Sequence, residues 1–350
     1  MKKIIYLLLI ILFSIFLTSC TKYSEIHEIS FVISLGFDYD KETSEYIITS
    51  YIINNANLTQ NKNQSTDTSS YIGSYKDKSI TEALNKLTSN VDITLEFKHI
   101  KTVFINKDFL TKDNMEYLYV FFRNGPLFYP NFEVYITDNK IEDIFKVQVF
   151  EETTLFYTLL TGQKKAHNHE TITFFQLIND KLIPNFYLGY PIVKVTTEVF
   201  ENKDENYHTT EIIASMYLDD ELNKYIVTYK EFPGLYLIHQ TTNLLMTLKD
   251  IEFLIDNYKF NVIINRNQEN NFKIRINAEI AYIYSDNYTL FNYKSALEQY
   301  IKEEIQKLYD HFTNLGIDLF NINYKRQLKQ MDIIDLEKTN IIFDINLMTP

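Results

Sequence analysis

The sequence predicts an α+β fold, and three observations support this. Runs of β-branched and aromatic residues are interspersed with amphipathic helical segments, without the regular strand–helix–strand rhythm of a parallel α/β protein. The composition is that of a globular protein, with 45% hydrophobic and 23% charged residues. The length of 350 residues is sufficient for two or three domains.

A β-hairpin is predicted near the start of the chain. Residues 29–38 and 45–54 are rich in Ile, Val, Phe and Tyr, and the polar segment 39–44 joins them. The tract 54–70 that follows consists largely of Asn, Gln, Ser and Thr, so it predicts a long loop with little to bury.

Helices and further strands follow in mixed order. Ser79 and Glu82 have the capping-box spacing at the start of an apolar stripe, which predicts a helix. A second helix is expected at 115–123, ended by Asn124-Gly125-Pro126. The remaining predictions for this half are strands at 99–106 and 132–137 and a helical region at 141–179, interrupted at 162–170.

The second half has the same mixed character after a proline-punctuated stretch at 184–191, where we place a domain boundary. Its strongest element is a helix at 295–314, which has a capping box at Ser295 and Glu298 and is ended by Gly316. Strands are predicted at 211–218, 224–230, 259–265, 271–284 and 340–347.

The first twenty residues have the parts of a secretory signal. Lys2 and Lys3 precede an apolar run at 4–16, which is too short to span a bilayer. The closing residues Leu17-Thr18-Ser19-Cys20 resemble a bacterial lipobox, in which the cysteine receives a diacylglyceryl group. We therefore expect a signal peptide at 1–19, a lipidated Cys20 and a fold outside the cytoplasmic membrane. The alternative is an ordinary signal peptide that happens to end near a cysteine.

The charge and the cysteine count exclude several classes of protein. The net charge of −12 disfavours nucleic acid as a partner, because phosphate backbones would repel an acidic chain. Cys20 is the only cysteine, so one chain forms no disulfide and holds no thiolate zinc site.

A search for catalytic patterns predicts no enzyme and no cofactor. The sequence contains no phosphate-binding glycine loop and no nucleophile elbow. The most metal-like cluster is His167-Asn168-His169-Glu170, for which a solvated loop is the favoured interpretation. His99 is interpreted as a core or edge histidine of an apolar strand. The adjacent carboxylates Glu151-Glu152, Asp219-Asp220 and Glu303-Glu304 point apart on a regular element, which disfavours acid–base pairing.

Five segments, taken in order, resemble the Ger(x)C family of spore germination lipoproteins. Behind the lipobox, residues 25–38 are similar to the family's opening motif, which ends in an aspartate at Asp38. Residues 297–320 are similar to the family's last long helix and to the Gly-x-Asp-x-Phe segment that follows it. The other similar segments are residues 79–87, 97–105 and 121–124.

Several positions depart from the family pattern. The chain has Cys20-Thr21-Lys22 where the family has Cys-Trp-Asp, and Ser34 where it has a glycine. Asn124-Gly125-Pro126 replaces an acidic turn, and the family's tryptophans are missing.

The resemblance implies a fold and a role. It implies three consecutive α+β domains, each a mostly antiparallel or mixed sheet packed with helices, which we place at 20–195, 196–250 and 251–350. It also implies a lipid-anchored, non-enzymatic subunit of a nutrient germinant receptor in the spore inner membrane, beside integral-membrane subunits. The alternative is a solute-binding or adhesion lipoprotein of the vegetative cell surface. A third hypothesis is a secreted zinc hydrolase that uses His167 and His169.

Overall fold

The structure, a computed structural model, contains two sheets with both parallel and antiparallel strand pairs, and helices pack on them. This arrangement confirms the α+β fold class. Among the described residues, ten strands belong to a large sheet and four to a small sheet. The described residues are 29–54, 70–90, 94–124, 131–147, 172–177, 186–202, 205–218, 223–238, 244–248, 251–265, 271–285 and 293–348.

The large sheet begins with the predicted hairpin. Strands β1 (Ile29–Asp40) and β2 (Glu45–Asn54) pair antiparallel, as their alternation indicates. The Asp40 carboxylate accepts hydrogen bonds from the backbone N–H groups of Glu42 (3.0 Å) and Thr43 (3.3 Å), which fixes the turn. Strand β3 (Ser70–Asp77) then pairs with β2. The sequence did not predict β3, because its side chains are polar or only partly buried.

The centre of the large sheet is parallel. Strand β1 pairs in parallel with β5 (Thr102–Asn106), β5 with β6 (Glu133–Thr137), and β6 with β8 (Tyr190–Asn202). Strands β9 (Glu205–Leu218) and β10 (Lys224–Thr228) then extend the same sheet in antiparallel order. Two short strands also join this sheet, β4 (Thr94–Glu96), which pairs with β1, and β7 (Ile172–Thr173), which pairs with β6.

The two faces of the large sheet belong to different hydrophobic cores. Successive residues of a strand point to opposite faces, so Val103 of β5 enters one core while Phe104 enters the other. Phe104 stacks on Tyr135 of β6, with ring centroids 5.5 Å apart. The central strands are buried on both faces, which explains why β5 is entirely buried.

Two predicted helices cover the face of the large sheet to which Val103 points. Helix α1 (Ile80–Ser89) begins at Ser79, whose hydroxyl accepts a hydrogen bond from the backbone N–H of Glu82 (3.4 Å). Its residues Ile80, Ala83 and Leu87 are buried in the core. Helix α2 (Lys112–Asn124) starts three residues earlier than the predicted helix at 115–123 and buries Leu118 and Phe122.

The other face carries the small sheet and the remaining helices. The small sheet runs in the order β11 (Leu244–Leu248), β12 (Ile251–Ile263), β13 (Asn271–Ser285) and β14 (Asn340–Met348). Its first three strands are antiparallel, whereas β14 lies parallel to β13. The helices are α3 (Ile141–Phe145), α4 (Gly234–Ile238), α5 (Tyr293–Asn314), α6 (Ile322–Leu328) and a 3-10 turn (Leu336–Lys338).

Helix α5 packs against both sheets. Phe312 makes an edge-on contact with Tyr217 of the large sheet, with ring centroids 4.6 Å apart. Tyr309 contacts Phe272 of the small sheet at 5.5 Å. The buried stripe includes Leu297, Ile301 and Ile305, as the apolar spacing of the sequence indicates. Each fully buried side chain of this kind stabilises the fold by about 1.5–3 kcal/mol.

Two local predictions need correction. His99 lies in an exposed turn and not inside a strand, because β5 begins only at Thr102. Its ring packs edge-on against Phe31 at 4.5 Å. The region predicted as helical at 141–179 is helical at Ile141–Phe145 and 174–177, but Ile172–Thr173 is a strand. The interruption predicted at 162–170 lies outside the described residues.

The predicted division into domains at residues 195 and 250 stays a prediction. Strand β8 runs across the first of these positions, and β9 and β10 belong to the large sheet. Strand β11 precedes the second position and belongs to the small sheet. In the part of the chain that the structure describes, no helix is long and apolar enough to cross a membrane.

Gly36 of β1 provides a test of the packing. A Cβ atom at this position would overlap the side chain of Ile141 in α3. We expect Gly36→Ala to lower the free energy of unfolding by about 3 kcal/mol, because a packed core resists an added methyl group. Chemical denaturation would measure the change.

Gly73→Ala on β3 is the matched control. Its added Cβ would lie 3.2 Å from a terminal methyl of Leu87, so its cost should be clearly smaller. Equal stability of the Gly36→Ala protein and the unmodified protein would contradict the close packing of α3 on β1.

Candidate functional site

Most of the residues singled out by the sequence for lipid or metal lie outside the described residues. Cys20 is one of them, so its lipidation stays a prediction. His167, His169 and Glu170 also lie outside that part of the chain. Among the residues the structure does describe, no three His, Cys, Asp or Glu side chains are grouped to hold a metal ion.

One of the three adjacent carboxylate pairs is described. Glu303 is exposed on α5 and accepts a hydrogen bond from the side-chain amide of Gln299 (2.7 Å). Glu304 is partly buried on a neighbouring face of the same helix. The two carboxylates therefore differ in environment, as their adjacency on a helix indicates. The pairs at 151–152 and 219–220 lie outside the described residues.

The motif aspartate Asp38 lies near the end of β1, at the edge where the parallel strands β5 and β6 also end. Burial raises the pKa of Asp38 above its ordinary value, and the nearby carboxylates of Asp108 and Asp40 raise it further. Its own side chain accepts a hydrogen bond from the backbone N–H of Tyr39 (2.8 Å). The carboxyl edge of a parallel sheet is where side chains from several strands converge.

Ion pairs connect the loops at this edge. The Lys41 ammonium lies 2.9 Å from the Asp108 carboxylate, and the Lys107 ammonium lies 2.9 Å from that of Asp138. Lys224 of β10 donates a hydrogen bond to the backbone carbonyl of Lys107, and its pKa is lowered by burial. Because the paired groups are partly exposed, each ion pair contributes at most about 1 kcal/mol. This edge of the sheet is therefore a polar surface whose loops are connected by ion pairs and a hydrogen bond.

The departure from the family pattern at Ser34 has a structural counterpart. Its hydroxyl forms a buried hydrogen bond with the hydroxyl of Thr102 on the neighbouring parallel strand. The added polar group is thereby satisfied inside the core, as buried polar groups require.

The second motif aspartate, Asp318, is buried after helix α5. Gly316 ends that helix with a positive φ of 73°, a conformation that favours glycine. Asp318 is only 3% exposed, and its carboxylate accepts a hydrogen bond from the backbone N–H of Asn323 (2.6 Å). Burial raises the pKa of Asp318, although the N–H groups of Ile322 and Asn323 and the Lys325 ammonium oppose this. Its role in the structure is to fix the start of α6.

Two asparagines attach the same segment to distant backbone. The side chain of Asn321 accepts from the backbone N–H of Tyr187 (2.6 Å) and donates to its carbonyl (3.0 Å). The side chain of Asn323 makes the equivalent pair of bonds with Ile334, at 2.9 and 3.2 Å. An amide side chain can satisfy both backbone groups of one residue in this way. The sequence did not predict a role for either residue, because a single asparagine carries no information about which backbone groups its side chain will bind.

A cavity of about 640 Å³ lies where β9, β10, α4, β11 and α5 meet. We call it the tyrosine cavity, after Tyr229, Tyr236 and Tyr300 in its lining. The rings of Tyr229 and Tyr236 are stacked, with centroids 4.5 Å apart. The volume of the cavity falls in the range typical of small-molecule sites. The remaining lining is mainly apolar, with Glu211 and Lys230 as its charged members.

Sequence reasoning did not find the tyrosine cavity. Its lining comes from segments between residues 211 and 300 that meet only after the two sheets pack together. Tyrosines are common in this chain, which has 27, so three of them gave no distinct signal.

Comparison with known proteins agrees with the motif series. The family model of the spore germination protein N-terminal domain matches residues 22–195. A solved structure described as the crystal structure of the GerBC protein is similar with a TM-score of 0.49 and 12% identity, covering 90% of this chain and 96% of that chain. No curated protein matches the chain. The match over residues 22–195 confirms the resemblance to the Ger(x)C family of spore germination proteins that the motifs indicate.

The buried Asp318 predicts a specific pH dependence of stability. Its folded-state pKa lies above its ordinary value of 3.8, so the unfolded chain releases this proton at lower pH than the folded protein. Its contribution to stability should therefore fall as the pH rises from about 4 through the folded pKa, by at most about 1.4 kcal/mol per pH unit.

Asp318→Asn isolates this effect, because asparagine keeps an oxygen to accept from the N–H of Asn323 but does not titrate. The difference in the free energy of unfolding between Asp318→Asn and the unmodified protein should shift in favour of the variant as the pH rises. Urea denaturation from pH 4 to pH 7 measures it. A difference that is constant with pH would contradict the raised pKa.

Proposed function

We propose that this protein is a lipid-anchored, non-enzymatic subunit of a nutrient germinant receptor that is required for spore germination. The observation that carries the proposal is the match of residues 22–195 to the spore germination protein N-terminal domain. The one family-like segment beyond residue 195, at 297–320, extends the support to the C-terminal part of the chain.

The geometry of the motif residues supports a structural role for them. Asp318 accepts a hydrogen bond from the backbone and fixes α6, and Asp38 is held by the backbone of its own strand end. Phe320 packs on Phe260 and Phe272 of the small sheet, at 5.7 and 6.0 Å. Motif positions of this kind maintain the shape of a protein that works by assembly with partners. The partners we propose are the integral-membrane subunits of the receptor.

The proposed attachment to the membrane is a lipid on Cys20. Each buried methylene of an acyl chain contributes about 0.8 kcal/mol, so two chains hold a protein stably where one does so only marginally. A diacylglyceryl anchor would place the ectodomain on the outer face of the spore inner membrane. The acidic surface, with a net charge of −12, would keep the domains away from anionic headgroups.

Deletion of the gene tests the receptor role. We expect spores without this protein to lose the response to the receptor's nutrient while they still germinate with a non-nutrient trigger, because only nutrient sensing depends on the receptor. Loss of optical density after addition of each trigger measures germination. A normal nutrient response in the deletion strain would refute the proposed function.

The substitution Cys20→Ala tests the anchor. We expect the variant to fold normally but to be lost from the membrane fraction, because no thiol remains to carry the lipid. Its nutrient response should be reduced for the same reason. Thr21→Ala is the matched control, since it alters the adjacent residue and keeps the cysteine. Immunoblots of spore membrane and soluble fractions, together with germination assays, measure both effects. Full activity of a soluble Cys20→Ala protein would contradict a functional anchor.

A further inference from the structure

Two stacked tyrosine rings line the tyrosine cavity. Tyr229 and Tyr236 form a stacked pair whose planes are inclined by 29°. The hydroxyl of Tyr229 is hydrogen-bonded to that of Ser215 (3.1 Å), which fixes the ring. The face of an aromatic ring carries partial negative charge and attracts cations. The stacked pair is thus a preformed, rigid surface of the type that binds ammonium groups.

Two carboxylates increase the negative potential around these rings. Burial raises the pKa of Tyr236, and the neighbouring Glu211 raises it further. The pKa of Tyr300 is likewise raised by burial and by the neighbouring Glu304. Glu211 lines the cavity with an exposed side chain, and none of the described residues forms a hydrogen bond or an ion pair with it. Oε2 of Glu304 is buried and has no hydrogen-bond partner among the described residues. A positively charged partner is favoured at Glu304 because its Oε2 atom is buried, and at Glu211 because no cation among the described residues pairs with it.

The backbone of β9 is irregular next to the cavity. Ile192 of β8 pairs with Ala214 and Val193 pairs with Ile212, so Ile213 is an extra residue in β9. Such bulges redirect neighbouring side chains and are frequent beside binding sites. Both Glu211 and Ile213 line the cavity.

We propose that the tyrosine cavity binds a small organic cation, an ammonium group carried on an apolar body. The ammonium group lies against the stacked rings of Tyr229 and Tyr236, where it pairs with the Glu211 carboxylate. The apolar body contacts Leu237, Leu244 and Met246, which form part of the lining. Among the described lining residues Lys230 is the one cation, and its side chain is exposed like that of Glu211. The net charge of −12 also attracts a cationic ligand over longer distances.

Thermal unfolding of the full-length protein in detergent tests the proposal with three probes of similar shape. Phenethylamine carries an ammonium group, phenethyl alcohol is its neutral counterpart, and phenylpropionate is anionic. We expect phenethylamine to raise Tm by about 3 °C at saturation, since a ligand that binds only the folded state stabilises it. The other two probes should leave Tm unchanged. An equal rise with phenethyl alcohol, or no rise with phenethylamine, would overturn the proposal.

Two matched variants locate the site. Glu211→Gln keeps the shape of the side chain and removes its charge, so it should weaken phenethylamine binding roughly tenfold or more. Lys230→Gln removes the opposing charge and should leave binding unchanged or strengthen it. Unaltered affinity of Glu211→Gln, or loss of binding in Lys230→Gln, would place the amine elsewhere and refute the assignment. Because these measurements use the purified protein, their outcome is independent of the proposed receptor role.

Discussion

Helix α5 is the element on which the rest of the architecture depends. Its aromatic residues contact both sheets at once, through Phe312 on Tyr217 and Tyr309 on Phe272. Tyr309 also donates a hydrogen bond to the carbonyl of Leu336 (2.8 Å), and burial raises the pKa of its hydroxyl to about 12. Its first half supplies Tyr300 to the tyrosine cavity, and its end leads into the Asp318 segment. Displacement of this helix would therefore separate the sheets, open the cavity and release the motif together.

Local patterns predicted the elements whose stability is decided by neighbouring residues. The hairpin β1–β2, helix α1 with its Ser79 cap and the apolar stripe of α5 follow directly from alternation, capping and helical spacing. Pairings between distant strands were not predictable in the same way. The parallel contacts of β1, β5, β6 and β8 depend on long connections, and the sequence of a strand does not specify which neighbour it will find. Strand β3 was missed because half-exposed strands lack a continuous apolar signal.

The candidate sites show the same division between local and distant information. The resemblance to a family drew attention to Asp38 and Asp318, but only the structure shows that both are held by nearby backbone N–H groups. The double hydrogen bonds of Asn321 and Asn323 depend on Tyr187 and Ile334, so they are properties of the tertiary fold. The tyrosine cavity is an extreme case, since none of its walls exists before β9, β11 and α5 assemble.

The parallel pairing of β13 with β14 has a consequence for the order of folding. Strand β12 meets β13 across a short connection, whereas Arg275 of β13 must wait for Asp344, 69 residues further along the chain. Local contacts form quickly and distant ones slowly. Strand β13 would have an unpaired edge until β14 is available. That interval is when the chain is most exposed to wrong strand pairing. Charged Lys273 and Arg275 on β13, which later pair with Asp344, help to keep this edge soluble until its partner arrives.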